Sequence, residues 1–356
     1  MNSLEYQNDK LVFDQLSLQD ISKDITTPFY LYSENLIKKN IREYISHATG
    51  ETLFCYSVKA NSNLSILKLI AAEGMGFDVV SKGELYRVIK SGADPKKVVY
   101  SGVGKTKSEI RYALENNILC FNVESEGELL AINEEASYLS VTANISIRVN
   151  PDVAVESHPY ISTGMKDNKF GITYNNALAL YIKASKLSSL NIIGIDFHIG
   201  SQITSIQPYL DSIKSVRSLV SELKKENINI THIDVGGGLG ISYEDEDIVS
   251  KGDYIKEITN SLKDLNLTIL FEPGRSVIGD CGLLVTKLQY IKESETKNFM
   301  IVDASMSELL RPPLYDAFHK ITPVIKRNTN YKTYDIVGPV CESADFLGKE
   351  LSLIHI

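Results

Sequence analysis

The sequence predicts an α/β fold: a (β/α)8 TIM-type barrel plus a mostly β second domain formed by the C-terminal segment and the N-terminal residues. Three observations carry this. The chain has 356 residues, more than the ~250 that a single barrel uses. From about residue 53, eight short apolar runs alternate with helix-period stretches, as in a parallel sheet covered on both faces. After Arg275 the alternation stops, and apolar runs follow one another with little helix between them.

The eight runs are Leu53 to Val58, Phe77 to Val80, Val98 to Ser101, Ile118 to Val123, Asn144 to Val149, Ile192 to His198, His232 to Val235 and Thr268 to Glu272. Between them lie amphipathic segments such as 63 to 73 and 82 to 91, where Leu85, Val88 and Ile89 recur at helical spacing. Eight is the number that closes a barrel, although an open doubly wound sheet shares the alternation. The connection after the fifth run is the longest; it carries His158 to Gly164 and Lys169 to Ile172, and is expected to rise over the barrel mouth. Beyond the barrel, Leu283 to Ile291, Phe299 to Asp303, Thr322 to Arg327 and Tyr331 to Val337 read as strands. The expected division is therefore 1–25 with 276–356 as the β domain and 26–275 as the barrel.

A net charge of −8 lacks the clustered cations that a general nucleic-acid binder needs, so the partner is expected to be a small molecule. No apolar run is long enough to span a membrane and the start does not read as a signal peptide; the expected setting is cytoplasmic. Cys55, Cys120, Cys281 and Cys341 form no CxxC pair, which suggests thiols in a reducing compartment and no zinc site.

A barrel of this kind builds its site from the turns after each strand. Lys59 follows the run that ends at Val58, where apolar surroundings are expected to disfavour the ammonium and favour a covalent nucleophile; a lysine reaching for solvent is the alternative. Gly236-Gly237-Gly238 closes the seventh run. It reads as a phosphate cradle or as a plain tight turn, not as a dinucleotide fingerprint, whose third Gly falls on Ile241. Gly104-Lys105-Thr106 is not a P-loop, because its leading Gly falls on Val99. Glu272, in Glu272-Pro273-Gly274-Arg275, is expected to be buried and to need either an internal cation or a protonated ring nitrogen. His198 reads as an interior histidine or as a ring stacked on a planar cofactor. Arg311 and Tyr315 could recognise a carboxylate.

A nucleophilic lysine, a glycine cradle, a carboxylate for a ring nitrogen and a stacking histidine together suit pyridoxal 5'-phosphate. The segments Tyr56 to Asn61, Phe77 to Ser81, His198 to Gln202, the Gly236 turn, Glu272 to Arg275 and Cys341 to Ser343 resemble the barrel-type (fold type III) pyridoxal-phosphate decarboxylases over nearly the whole chain. The segments 158–164 with 169–172 and 307–315 are similar to the diaminopimelate branch of that family, not to its ornithine or arginine branches.

The resemblance implies conversion of meso-2,6-diaminopimelate to L-lysine and CO2. It further implies that Lys59 carries the cofactor, that His198 faces its ring, and that Ser201, Gly237, Gly238 and the Pro273-Gly274-Arg275 stretch hold its phosphate. Arg275, Arg311, Tyr315 and Glu342 are implied to bind the substrate's far end. Cys341 is implied as proton donor, reaching with Glu342 into a neighbouring subunit of a homodimer. Rival readings are a sibling decarboxylase acting on ornithine, arginine or carboxynorspermidine, a non-catalytic relative, and more distantly a class I aldolase barrel. In the family the β domain runs beyond the Cys-Glu motif, with a further strand and an Ala-Tyr segment. The apolar run at residues 351–356 therefore reads as the end of a truncated product or partial sequence, with an exposed strand edge.

Overall fold

A computed structural model describes residues 4–151, 169–244, 246–326 and 331–354. The chain divides into two compact units: residues 37–241 with 247–280, and residues 1–36 with 242–246 and 281–356.

The first unit is a closed parallel barrel. Its strands are β1 (Thr52–Ser57), β2 (Gly76–Val79), β3 (Val98–Tyr100), β4 (Cys120–Val123), β5 (Ala143–Asn150), β6 (Leu190–Asp196), β7 (His232–Asp234) and β8 (Thr268–Phe271). Each pairs with the next, and Ile269 of β8 lies beside Thr52 of β1, which closes the ring. This is the barrel of the sequence reading and not the open sheet. All residues of β2, β3, β4 and β7 are buried, because helices cover the outside while side chains fill the inside.

Several of the barrel helices start where the sequence provides caps. Asn63, Ser81, Thr106, Ser125 and Ser250 each accept a backbone N–H of the first turn of the helix that follows, and Thr106 with Glu109 forms a full capping box. Each such cap contributes about 1 kcal/mol. Lys105, just before that box, is fully enclosed. Its ammonium donates to the carbonyls of Gly102 and Asn122 and to Glu128 Oε1 at 2.7–2.9 Å, so it ties the turn after β3 to β4 and to the helix that follows β4, and has nothing of a phosphate-binding loop.

In the β unit, Phe29–Tyr32 pairs antiparallel with Gly282–Val285. That pairing is why the division falls after Leu36 and before Cys281, and not at the expected 25/26 and 275/276. A four-stranded sheet follows in the order Leu288–Glu293, Asn298–Val302, Tyr331–Val337, Phe346–Ile354. The expected strand 283–291 is thus two strands. The expected strand 322–327 is no strand: among its described residues it makes one isolated bridge, Ile325 to Lys10, beside backbone bonds Leu11 N–H to Val324 O and Lys326 N–H to Asp9 O. Met300, Val302, Tyr334, Ile336 and Leu347 form the sheet's core. Leu11, Phe13 and Leu18 form another with Leu31 and Leu283.

Replacing Lys105 by Met leaves the Glu128 carboxylate buried without its cation. Loss of one partner of such a pair costs about 3–5 kcal/mol. Urea unfolding of Lys105→Met should show a loss of that order, and a loss below ~1 kcal/mol would remove this pair from the account of barrel stability.

Candidate active site

Because all eight barrel strands are parallel, their C-terminal ends share one rim, and the residues there face one another. Lys59 lies in the 3-10 turn Val58–Ala60 directly after β1. Its Nζ donates to Asp78 Oδ2 on β2 at 2.8 Å, and about half of the side chain's surface, 49%, is exposed. Ser57 Oγ donates to the same Asp78 oxygen at 2.9 Å.

Burial pulls the Lys59 ammonium down, as expected, but the facing carboxylates of Asp78 and Glu272 outweigh it and hold the group above its ordinary value. The expectation of a disfavoured ammonium is corrected accordingly: the strand end is apolar, but the neighbouring strands supply negative charge. Burial pushes the Asp78 carboxyl up, yet the Lys59 charge and the hydrogen bonds from Lys59 and Ser57 bring it below its usual range.

Glu272 follows β8 and is buried. Its Oε1 accepts from Ser101 Oγ and Asn122 Nδ2, each at 3.3 Å, and its backbone N–H donates to Gly236 O at 2.8 Å. Carboxylate oxygens of Asp196, Asp234 and Glu272 all lie within 4.8 Å of one another. Burial first, and mutual repulsion second, push Glu272 and Asp196 well above the carboxylate range. Burial likewise pushes Asp234 up to about 6. Arg148 on β5 offsets part of the charge, with NH1 donating to Glu124 at 2.8 Å and Nε 3.9 Å from Asp196.

The Gly236 turn is built into this cluster. Gly236 and Gly238 have φ of +67° and +104°, a region that disfavours side chains. A Cβ on Gly237 would lie 2.1 Å from Glu272 O. Asp234 Oδ1 accepts the Gly236 N–H at 2.9 Å, and the Gly237 N–H donates to His198 Nδ1 at 3.2 Å. That donation assigns the proton of a neutral His198 to Nε2. Burial, then the charges of Arg148 and Lys59, hold His198 well below its ordinary pKa, which favours the uncharged ring. Behind the turn, Tyr209 donates to Gly237 O at 3.0 Å.

Arg275 opens the short helix Arg275–Ile278 with Gly274 before it, and its NH2 donates to Ser201 Oγ at 3.2 Å. Pro273 O accepts the Ser57 N–H at 3.1 Å. The barrel thus brings together Lys59, His198, Ser201, Gly237, Gly238, Glu272, Pro273, Gly274 and Arg275 on neighbouring strand ends.

The remaining predicted residues lie in the β unit. Arg311 opens the helix Arg311–Tyr315, its guanidinium 5.1 Å from the ring centroid of Tyr243 and 6.0 Å from that of Tyr315. Cys341 and Glu342 are exposed, on a loop shaped by buried Asp345, which accepts the N–H groups of Met306 and Val340 at 2.6 and 2.8 Å. Residues 158–164 lie outside the described residues. Of the companion segment, Gly171 N–H donates to Glu124 Oε2 at 2.8 Å and Phe170 packs 5.1 Å from Arg148.

Sequence reasoning assigned no site role to Asp78, Ser101, Asn122, Arg148, Asp196, Asp234 or Tyr243. The signal for most of them was available: Asp78, Asn122, Arg148, Asp196 and Asp234 each stand inside one of the expected strand runs and are buried there, and buried polar groups need partners.

Residues 34–279 match the family model for the pyridoxal-dependent decarboxylase, pyridoxal binding domain. This chain belongs to the pyridoxal-dependent decarboxylases. Curated relatives include the diaminopimelate decarboxylases of Pseudomonas aeruginosa, 46% identical over 99% of this chain and 85% of the relative, and of Vibrio cholerae, 47% identical over 99% and 86%. The solved diaminopimelate decarboxylase of Helicobacter pylori complexed with L-lysine is 43% identical, covers 95% of this chain and 85% of that one, and superposes with a TM-score of 0.90.

The residues fit the family's cofactor. Among the described residues, Asp196 Oδ1 and Asp234 Oδ2 find no hydrogen-bond partner, and three buried carboxylates share one small volume. A protonated ring nitrogen placed beside Glu272 would supply the positive charge this cluster lacks.

The cluster makes a pH dependence. Asp234 holds its proton up to about pH 6 when folded, against an ordinary value of 3.8. The folded state therefore binds more protons between those values, and stability falls as pH rises through that window. Asp234→Asn keeps an acceptor for the Gly236 amide and removes this slope. Relative to the parent, cofactor-free Asp234→Asn should gain up to ~3 kcal/mol between about pH 4 and about pH 7, at ~1.4 kcal/mol per pKa unit. Urea unfolding across that range checks it, and a constant difference between the two proteins would refute it.

Proposed function

We propose that this chain decarboxylates meso-2,6-diaminopimelate to L-lysine and CO2. The carrying observation is that Lys59, paired to Asp78 at 2.8 Å, and the Asp196–Asp234–Glu272 cluster stand on one barrel rim, in a chain similar over nearly its whole length to diaminopimelate decarboxylases. Pyridoxal phosphate, when bound, supplies an electron sink for the carbanion left as CO2 departs. Lys59 would hold it covalently, and Asp78 orients the amine. Glu272 would keep the proton on the ring nitrogen, with Ser101 and Asn122 fixing its Oε1. Neutral His198 would lie against the ring. Ser201, Gly237, Gly238 and the Pro273-Gly274-Arg275 turn supply neutral and cationic donors for the phosphate.

Substrate choice is assigned to Arg275, Arg311, Tyr315 and Glu342. Diaminopimelate carries a carboxylate at its far end, which a guanidinium attracts and grips through two parallel hydrogen bonds; the terminal ammonium of ornithine is repelled there. Cys341 is assigned as proton donor to the carbanion. With Glu342 it would serve the neighbouring subunit of a homodimer, a reading supported by the exposure of both side chains on one loop. A cytoplasmic setting suits the four thiols, none of which forms a disulfide.

Purified protein with cofactor should release CO2 from meso-diaminopimelate and form lysine; release from ornithine or arginine alone would overturn the substrate. Borohydride reduction should leave the pyridoxyl group on Lys59 in peptide maps. Cys341→Ala should lower kcat by about 10²–10⁴, the usual worth of a positioned proton donor. Mixing inactive Lys59→Ala with the impaired Cys341→Ala should restore activity above that of either alone through mixed dimers, and no recovery would count against shared sites.

A further inference from the structure

Arg311 is the side chain on which the proposed substrate choice rests, yet an arginine carries three flexible methylenes, and recognition of a carboxylate through two parallel bonds needs the guanidinium plane in one orientation. The β unit supplies that orientation from an unexpected place. Residues 242–246, which follow the glycine turn in the chain, cluster with the β unit. Tyr243 Oη accepts from Arg311 NH1 at 2.8 Å, and its ring centroid lies 5.1 Å from the guanidinium carbon.

Tyr243 is itself held in place. His319 packs edge-on against its ring at 5.5 Å and 80°. Glu246 Oε2 accepts the N–H groups of Tyr243 and Glu244 at 2.8 and 2.9 Å and the Ser242 hydroxyl at 3.1 Å. On the other side, Tyr315 lies 6.0 Å from the guanidinium carbon. Pro312 and Pro313 stiffen the backbone just after Arg311.

We propose that Tyr243 is a positioning residue that aligns the Arg311 guanidinium for the carboxylate retained in the product, and so sets selectivity for substrates with a carboxylate at the far end. This rests on the assignment of Arg311 to substrate binding. Tyr243 touches no reacting atom in this account. Its hydroxyl fixes the plane of the fork, and its ring holds the cation.

The test uses the cofactor-loaded enzyme with two probes, L-lysine, which keeps the far carboxylate, and cadaverine, which has none. Tyr243→Phe should raise the L-lysine inhibition constant and the diaminopimelate KM about tenfold, the worth of a hydrogen bond to a charged group. Inhibition by cadaverine should not move, and kcat should change far less than KM. In an Arg311→Ala background the same Tyr243→Phe change should add nothing. If Arg311→Ala weakens L-lysine binding while Tyr243→Phe leaves it unchanged, or if the Tyr243 effect persists undiminished without Arg311, the positioning role is wrong and the assignment of Arg311 stands. If Arg311→Ala itself leaves L-lysine binding unchanged, that assignment fails, and this inference fails with it.

Discussion

Among the described residues, the barrel interior holds Asp78, Asp196, Asp234 and Glu272, all buried, against the cations Lys59 and Arg148. Removing an isolated charge from water costs several kcal/mol, so each carboxyl must be paired, protonated or bonded to an amide. Asp78 takes Lys59 and Ser57. Asp234 takes the Gly236 amide, while Asp196 and Glu272 are driven toward their protonated forms. The cation that would let them ionise is what a protonated heterocycle would bring to this cluster.

The same charges organise the rim. The Asp234 side chain and the Glu272 backbone both bond to Gly236. The carboxylate cluster, the glycine turn and the tautomer of His198 therefore form one connected set of hydrogen bonds, and moving any member shifts the rest. Arg148 joins this set to Glu124, which in turn holds the turn after β3 and the far end of the long connection through the Gly102 and Gly171 amides. Electrostatic demand inside the barrel thus sets the conformation of loops that the fold alone leaves free.

Much of this was legible in the sequence. All eight barrel strands were, because buried parallel strands are continuous apolar runs bounded by turn residues. Helices between them were legible where apolar residues recur at helical spacing, as at Leu85, Val88 and Ile89. Lys59, His198 and Glu272 stood out as polar residues at strand ends. The β unit was read less well. The run 283–291 divides into two strands at Thr286 and Lys287, and 322–327, which reads locally as a strand, makes one isolated bridge among its described residues. Edge strands and bridging loops carry the same residue types, so local pattern does not separate them.

What the sequence by itself determined was the architecture and the residue types available for chemistry, since periodicity, caps and strand-end residues are local properties. The tertiary structure alone decided the electrical state of those residues. Lys59 follows an apolar strand and reads locally as a suppressed ammonium, but Asp78 on the adjacent strand and Glu272 on the last one reverse that. Asp196 and Asp234 look like isolated acids 38 positions apart until pairing of β6 with β7, where they are register partners, and of β7 with β8 brings them within 4.8 Å of each other and of Glu272. Tyr243 is an ordinary loop tyrosine until folding brings it onto Arg311. Charge and hydrogen bonding act through space, and only the closed chain fixes which groups share it.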